Sequence, residues 1–269
     1  MKTSTTLEED LRFYLKRFDD AVHGSDLMEE ETGALEELIN EYSRFILNEE
    51  YIKRWDQLAD PHLVDQLRNL SALSVAKLEK QRARKLLMDE GEIADYFQNI
   101  ESSIEEEFGQ FQVTGESTVL LVGSGSFPMT PLLIAGRTGA RVIGIDIDEE
   151  AIILGRQVVD RLGEHLNITL ELSSVEQLSE LNEVTHIIFS STVGAKYDIL
   201  DQVHGLIDGE VVVSMRYGNG LKSLFNFPSR EVDQKKWRIA ENSLRPHQIF
   251  DILLYEKICS STSHGRIDE

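Results

Sequence analysis

The chain has 269 residues, of which 41% are hydrophobic, and this is enough to bury one large core or two smaller ones. Its formal net charge is −21, from 48 acidic and 27 basic residues. This balance argues against a nucleic-acid partner, because contacts to a phosphate backbone need clustered lysine and arginine. A small ligand or a protein partner is favoured.

The single cysteine and the N-terminal segment bear on the compartment. Cys259 cannot build a disulfide framework, and we expect it to be a half-buried strand residue rather than a nucleophile. The start, MKTSTTLEEDLRF, is too acidic for a signal or transit peptide, and nothing approaches 18 consecutive apolar residues. We therefore expect a cytoplasmic protein without a membrane partner.

The first part of the chain predicts a helical bundle, placed at residues 1–112. Glycine and proline are scarce there, and helical periodicity covers the segments around 6–22, 29–48, 50–58, 61–88 and 92–108. Asp60 and Pro61 are a typical helix start, with the aspartate as N-cap and the proline as first helical residue. Three- and four-residue steps predict one packed face from Leu63, Leu67, Leu70, Leu73 and Ala76.

From residue 113 to 259 the pattern changes to α/β. Continuous apolar runs at 118–122, 141–146, 168–172, 185–190 and 210–215 predict buried parallel strands, with helices between the first four. Two further runs, 237–244 and 249–257, flank a short turn containing Pro246 and predict a closing antiparallel pair at the sheet edge. The polar tail, 260–269, is expected to be disordered.

The stretch VLLVGSGSFPMT, at 119–130, predicts a strand that delivers a glycine turn to a helix N-terminus. Parallel sheets present nucleotide-like ligands in this way, so the domain is predicted to be Rossmann-like with a cofactor at the turn. The residues predicted to contact it are Gly123, Ser124, Gly125, Phe127 and Pro128. The alternative is a glycine turn that only joins a strand to a helix.

An acid at the end of the second predicted strand narrows the choice of cofactor. Asp146 lies 23 residues beyond Gly123, where an acid typically binds the ribose hydroxyls of an adenosine, and Ile147 is placed with it in the pocket. Both NAD and S-adenosylmethionine satisfy this arrangement, although Pro128 replaces the third glycine of the dinucleotide pattern. Asp148 is predicted with equal weight to join the ribose site or to cap the following helix.

Several motifs together resemble the nicotianamine synthases. GSGSFPMT is similar to their glycine turn, in which a proline, an apolar residue and a threonine follow the glycines. The resemblance continues through GIDID (144–148), IIFSSTVGAKYD (187–198), SMRYGNGLKSLFNFP (214–228) and LRPHQIFDILLYEK, and upstream through KLEKQRARKLL (77–87) and FGQF (108–111). These stretches cover most of the chain in the right order.

The chain is most similar to the bacterial branch of that family, the histidine 2-aminobutanoyltransferases that begin the synthesis of staphylopine-like opine metallophores. The resemblance implies that the α-amine of histidine attacks the γ-carbon of the aminobutyrate arm of S-adenosylmethionine, and 5′-methylthioadenosine leaves. It also implies a downstream opine dehydrogenase as a partner in the pathway and no metal in this protein. Alternatives are a small-molecule methyltransferase, disfavoured because Leu121 stands where its usual acid would be, and a nucleotide-sensing interaction protein without catalysis.

The amine must lose a proton before it attacks, so a base is expected beside it. Glu79 interrupts a helical row of small apolar residues formed by Ala72, Ala76, Ala83 and Leu86, where partial burial would raise its pKa. The alternative is an ordinary ion pair with Arg82. The resemblance favours the first interpretation, since Glu79 in KLEKQ matches the glutamate proposed as the base in that family.

The family's active-site tyrosine has no clear counterpart. The matching stretch, DYFQNIES, puts Gln98 or Asn99 near that place, and Tyr96 is a catalytic candidate only if the helix register shifts; core packing is its alternative role.

Other pocket residues follow the predicted strands. We assign Ser173, Ser174, Ser190, Ser191 and Thr192 to the adenine and the sulfonium arm, with plain turn residues as the alternative. Arg216 is expected to bind a substrate carboxylate, with Tyr217 beside it, unless the arginine pairs with a structural acid.

The histidines lack the short spacings that are typical of a metal site. They are His62, His165, His186, His204 and His247.

A homodimer is expected, because it is the commonest state of soluble enzymes that associate.

Overall fold

The computed structural model of the chain describes residues 6–23, 29–55, 60–89 and 107–259, without the side chains of 29–32. Its first part contains the helices α1 (Leu7–His23), α2 (Glu29–Ile46), α3 (Glu49–Ile52) and α4 (Pro61–Leu87). The Asp60 carboxylate caps α4, since it accepts the backbone N–H groups of His62 and Leu63 at 3.1 and 3.3 Å. The third helix ends at Ile52, inside the predicted segment 50–58, of which residues 56–58 lie outside the described residues.

The second part is a seven-stranded sheet with helices. Its elements are β1 (Thr118–Val122), α5 (Met129–Thr138), β2 (Arg141–Asp146), α6 (Glu149–Gly163), β3 (Ile168–Leu172), β4 (His186–Phe189), α7 (Lys196–Leu206), β5 (Val212–Tyr217), a 3₁₀ helix (Gly220–Leu224), β6 (Trp237–Ser243) and β7 (Asp251–Lys257). The strand order is β3-β2-β1-β4-β5-β7-β6. Strands β1 to β5 run parallel, and β7 is antiparallel to both β5 and β6.

This topology confirms the predicted α/β class with a closing antiparallel pair. The order of the strands reverses between β1 and β4, so the carboxyl ends of these two strands form the crevice in which such sheets bind ligands. The glycine turn follows β1 directly, at this crevice.

The connection from β3 to β4 differs from the predicted helix. It holds two 3₁₀ helices, Val175–Gln177 and Leu181–Glu183. The buried apolar residues of this segment recur every three positions, which is the period of a 3₁₀ helix rather than of an α-helix; they are Val175, Leu178, Leu181 and Val184. The helix α7, between β4 and β5, was not predicted.

The helical part packs on the segment after β5. Aromatic residues of α1 and α2, including Phe18 and Tyr42, form one apolar cluster with Leu224 and Phe225. The Tyr42 hydroxyl donates to the Leu224 carbonyl at 3.2 Å. The two parts of the chain therefore share a buried interface, and the domain division at residue 112 stays a prediction.

The predicted packed face of α4 is wrong in its second half. Leu73 is 54% exposed, and the buried row continues instead through Ser71, Ser74 and Leu78. Small side chains are needed there because α4 approaches the 3₁₀ helix after β5 closely, and the Ser71 hydroxyl donates to the Leu224 carbonyl at 3.3 Å.

Cys259 is also misplaced by the sequence prediction, because β7 ends at Lys257 and leaves the cysteine exposed beyond it. The predicted helix at 92–108 lies outside the described residues except for Glu107 and Phe108, which form a turn, and the tail at 260–269 lies outside them altogether. Among the helices of the described ranges, none combines the length and the apolar character that crossing a membrane requires.

Candidate active site

The turn after β1 is built on two glycines in left-handed conformation. Gly123 has φ +82° and Gly125 has φ +68°, a region that glycine adopts at little cost. The N–H groups of Gly123 and Ser124 donate to the carbonyl of Ile145 at 2.9 and 3.0 Å. The turn is thus attached to the end of β2, and Phe127 and Pro128 follow it as buried residues before α5.

The carboxylate of Asp146 lies directly beside this turn. One oxygen accepts the N–H of Gly125 at 3.0 Å, and the other accepts the N–H of Asp148 at 3.0 Å. Asp148 itself caps α6, since its side chain accepts the N–H of Ala151 at 3.2 Å. Ile147, between the two acids, is 89% exposed.

Glu79 reaches the same turn from α4. Its carboxylate accepts the backbone N–H of Ser126, and it lies so close to Gly125 that a Cβ atom there would be 2.4 Å from Glu79 Oε2. The helical part thus brings a carboxylate to the glycine turn, and the assignment of Glu79 as the base stays a prediction.

Burial raises the pKa of Glu79 to about 7, although part of the residue stays exposed. The hydrogen bond from the Ser126 N–H opposes this rise, the negative charge of Asp146 adds to it, and the positive charge of Arg82 opposes it. Arg82 also forms an ion pair with Glu36, on α2. A carboxylate with this pKa can both take up and release a proton near neutral pH.

Two buried hydroxyl groups belong to the same turn. The side-chain oxygens of Ser124 and Ser126 have no hydrogen-bond partner among the described residues, and the two residues are 7% and 1% exposed. A buried polar group without a partner costs about 1–3 kcal/mol, so a ligand that bonds to it removes that cost. Sequence reasoning named Ser124 and missed Ser126, whose only signal was its place in the turn.

The end of β4 adjoins the glycine turn. A Cβ atom on Gly123 would lie 2.6 Å from Val193 Cγ2 and 3.2 Å from Ser190 Cβ, so only glycine allows this approach. The hydroxyls of Ser190 and Thr192 are 3.2 Å apart, and the Ser191 carbonyl accepts the N–H of Phe227 at 3.0 Å. The structure therefore brings these three predicted residues to the crevice.

A buried lysine, Lys196, supports this edge and was missed by sequence reasoning. Its ammonium donates to the carbonyls of Arg216 and Phe227 at 2.7 and 2.9 Å, and burial lowers its pKa to about 7. A lysine in a helix gives no sequence signal that it points inward, so only the tertiary structure identifies it.

The serines after β3 have local partners. The N–H of Ser173 donates to the Asp146 carbonyl at 3.3 Å, which places Ser173 beside the acid at the end of β2. Ser174 begins the 3₁₀ helix at Val175–Gln177, and its N–H donates to Gln177 Oε1 at 3.1 Å. Both residues act as turn residues here, and their cofactor contacts stay predictions.

Arg216 pairs with a buried acid, as one of its two sequence interpretations allowed. Its Nη2 lies 2.9 Å from Glu107 Oε2, and its Nε donates to Oε1 at 3.0 Å. Glu107 also accepts the Ser214 hydroxyl at 2.6 Å. Tyr217 is buried, and its hydroxyl donates to Asn242 at 2.9 Å. Their roles in substrate binding stay predictions.

The remaining candidates are Tyr96 and the histidines. Tyr96 is outside the described residues. Within the ranges that the structure describes, no group of three or more histidine, cysteine, aspartate or glutamate residues is arranged to hold a metal ion. His186 is buried against the Phe108 ring, with centroids 4.8 Å apart, and desolvation lowers its pKa.

The whole fold is similar to that of MtNAS, a nicotianamine synthase. The MtNAS complex with MTA and tNA superposes with a TM-score of 0.74 at 17% identity, over 96% of this chain and all of that one. A glutamate-to-glutamine mutant of MtNAS in complex with S-adenosylmethionine gives 0.72 at 20% identity. At this identity the likeness defines a class of fold, a helical part joined to a Rossmann-like domain. No protein-family model matches the chain.

Sequence relatives give the family. The L-histidine 2-aminobutanoyltransferase of Pseudomonas aeruginosa is 31% identical over 195 residues, 71% of this chain and 73% of that protein. The enzyme of the same name from Yersinia pestis is 32% identical over 196 residues, 72% of each chain. The chain belongs to the L-histidine 2-aminobutanoyltransferase family, which confirms the resemblance identified from its motifs.

Proposed function

We propose that this protein transfers the 2-aminobutanoate unit of S-adenosylmethionine to the α-amine of histidine and releases 5′-methylthioadenosine. The relatives named for this reaction support the proposal. The observation that carries it is the Glu79 carboxylate, with a pKa near 7, held against the glycine turn and beside Asp146.

The crevice offers matching groups for the donor. A carboxylate has about four acceptor positions, and Asp146 uses two of them on the N–H groups of Gly125 and Asp148, which leaves two for the ribose hydroxyls. Ile147 exposes an apolar side chain beside it that suits the adenine ring. Ser190 lies beside the turn at Gly123, and Ser191 and Thr192 follow it at the end of β4. When bound, the sulfonium activates the carbon that is transferred.

Glu79 accepts the proton that the α-ammonium of histidine must lose before the amine attacks. The α-ammonium of histidine, with a pKa of about 8, gives a proton to the Glu79 carboxylate, and the freed amine forms a C–N bond while the C–S bond breaks and its electrons go to sulfur. Transfer to an acid of pKa about 7 is uphill by about 1 pKa unit, or about 1.4 kcal/mol. Transfer to an ordinary carboxyl of pKa 4.5 would be uphill by about 3.5 units, or about 4.8 kcal/mol. Burial of Glu79 thus makes it the better base.

We further propose a cytoplasmic reaction without a metal in this protein, a homodimer, and a staphylopine-type pathway with a downstream opine dehydrogenase. Tyr96, Arg216 and Tyr217 would also contribute to the site. Arg216 would reach a substrate carboxylate only with the guanidinium edge that Glu107 leaves open, since Glu107 holds Nε and Nη2.

The nucleoside product tests the proposal. The protein is incubated with S-adenosylmethionine and histidine, and the nucleoside is identified by chromatography and mass spectrometry. Release of 5′-methylthioadenosine that depends on histidine is the expected result. Release of S-adenosylhomocysteine would indicate methyl transfer instead, and binding without turnover would indicate a sensor.

A further inference from the structure

Two kinds of contact dock α4 on the sheet part of the chain. Ala83 and Leu86 of α4 belong to an apolar cluster with Phe127 and Leu154. One turn earlier, Lys80 Nζ lies 2.6 Å from Asp148 Oδ2 and 2.9 Å from Glu150 Oε2, at the start of α6. Arg84 pairs with Glu150 as well. The ion pairs thus bind the last third of α4 to the first turn of α6.

Lys80 is the neighbour of Glu79, and its partner Asp148 is connected to Asp146. The N–H of Asp148 donates to Asp146 Oδ1 at 3.0 Å, and Asp146 Oδ2 accepts the N–H of Gly125. Glu79 in turn touches Gly125 and Ser126. The contacts therefore form a network that connects Glu79 through Lys80 and Asp148 to Asp146, and Asp146 through the glycine turn back to Glu79.

We propose that Lys80 is a positioning residue, which uses its ion pairs with Asp148 and Glu150 to hold the Glu79 turn of α4 against Gly125 and Ser126. The inference rests on the proposed function for its kinetic readout. The described ion pairs of Lys80 are with Asp148 and Glu150, so Lys80 acts on the reaction through the position that it gives to Glu79.

This network matters more for the position of Glu79 than for the free energy of unfolding. The Lys80 side chain is 20% exposed and those of Asp148 and Glu150 are 41% and 50% exposed, and ion pairs of this kind contribute little to the free energy of unfolding. Without Lys80, the described contacts that still oppose movement of the desolvated Glu79 carboxylate toward water are its bond from the Ser126 N–H and the exposed Arg84–Glu150 pair, one turn further along α4. The charged groups that act on Glu79, Asp146 from β2 and Arg82 from α4, remain in place in such a variant.

The test compares Lys80→Met with three other variants. Lys80→Arg keeps the charge, Asp148→Asn removes a partner while keeping a good N-cap, and Lys85→Met removes another lysine of α4 that takes no part in the described ion pairs of Asp148 and Glu150. For Lys80→Met we expect kcat to fall by about tenfold and the affinity for S-adenosylmethionine to change by less than about threefold. Lys80→Arg should restore kcat, and adding Asp148→Asn to Lys80→Met should cause little further loss.

A change that only weakened the fold would leave the protonation of Glu79 unaltered. We expect the acid limb of the kcat profile to shift to lower pH in Lys80→Met, because Glu79 becomes more hydrated. The same shift should appear in a ¹³C NMR titration of glutamate carboxyls, with Glu79 assigned by Glu79→Gln. That titration needs no turnover, so it still decides the role of Lys80 if the wild type releases no 5′-methylthioadenosine. An unmoved Glu79 titration in Lys80→Met, or an equal loss in Lys85→Met, would overturn the inference.

Discussion

Replacing Glu79 by glutamine separates the proton acceptor from the shape of the side chain. The amide keeps an oxygen that can accept the Ser126 N–H, but it cannot take up a proton. General-base catalysis contributes about 10²- to 10⁴-fold to a rate, so we expect kcat to fall by about that factor. Because no ribose contact is lost, the affinity for S-adenosylmethionine should change by less than about threefold.

The same substitution has a pH-dependent effect on stability. Burial raises the pKa of Glu79 from 4.5 to about 7, so the folded chain binds more protons than the unfolded chain between these values. The contribution of Glu79 to the free energy of unfolding therefore falls as the pH rises from about 4.5 to about 7. The shift of about 2.5 units corresponds to at most about 3.4 kcal/mol, and the partial exposure of Glu79 reduces this to about 1–2 kcal/mol.

Glutamine does not titrate, so Glu79→Gln should match the wild type near pH 4 and be the more stable protein above pH 7. The assays are product release with histidine and thermal unfolding across this pH range. Glu116→Gln, which removes an exposed carboxylate, is the control and should change neither. A Glu79→Gln protein that binds the donor and turns over within about threefold of the wild type would refute the role of the base. A variant that is less stable than the wild type above pH 7 would refute the raised pKa of Glu79.

Three further substitutions probe the crevice. Asp146→Asn should weaken S-adenosylmethionine binding by about tenfold or more in a calorimetric titration, because an amide replaces the charged acceptor left for the ribose; unchanged affinity would place the ribose elsewhere. Gly125→Ala should lose most activity and about 1 kcal/mol of stability, since φ is +68° and the new Cβ would displace Glu79, whereas Gly209→Ala, with nothing within 4 Å, should be neutral in both assays. Ser126→Ala should leave thermal stability unchanged or slightly higher, because its hydroxyl has no partner among the described residues, while raising KM by severalfold; a stability loss would show a hydrogen bond in the free protein.

Structural features that depend on consecutive residues could be predicted from the sequence. The bounds of β1, β2 and β3 follow from apolar runs bounded by polar residues, and they coincide with the predicted segments. The glycine turn and the acid at the end of β2 are recognised by the number of residues between them, so the position of the crevice could be predicted from the sequence. The choice of Glu79 as the candidate base came from the family resemblance, since periodicity alone favoured a pair with Arg82.

Features that depend on distant residues were not predictable. Glu107 lies among three consecutive glutamates, and nothing local marks it as the one that is buried against Arg216, 109 positions away. Lys80 and Asp148 are a similar case, because each belongs to an ordinary charged helix segment until α4 and α6 meet. The exposed second half of the predicted α4 face has the same cause, since the side of α4 that is buried depends on the segment after β5.

The fate of one carbon tests the proposed transfer most directly. S-adenosylmethionine labelled with ¹³C at the γ-carbon of its aminobutyrate arm is incubated with the protein and histidine, and the products are analysed by NMR and mass spectrometry. We predict that the labelled carbon becomes bonded to the α-nitrogen of histidine, with one unlabelled 5′-methylthioadenosine released for each product formed. Labelled carbon that remains attached to sulfur in S-adenosylhomocysteine would contradict the proposed function.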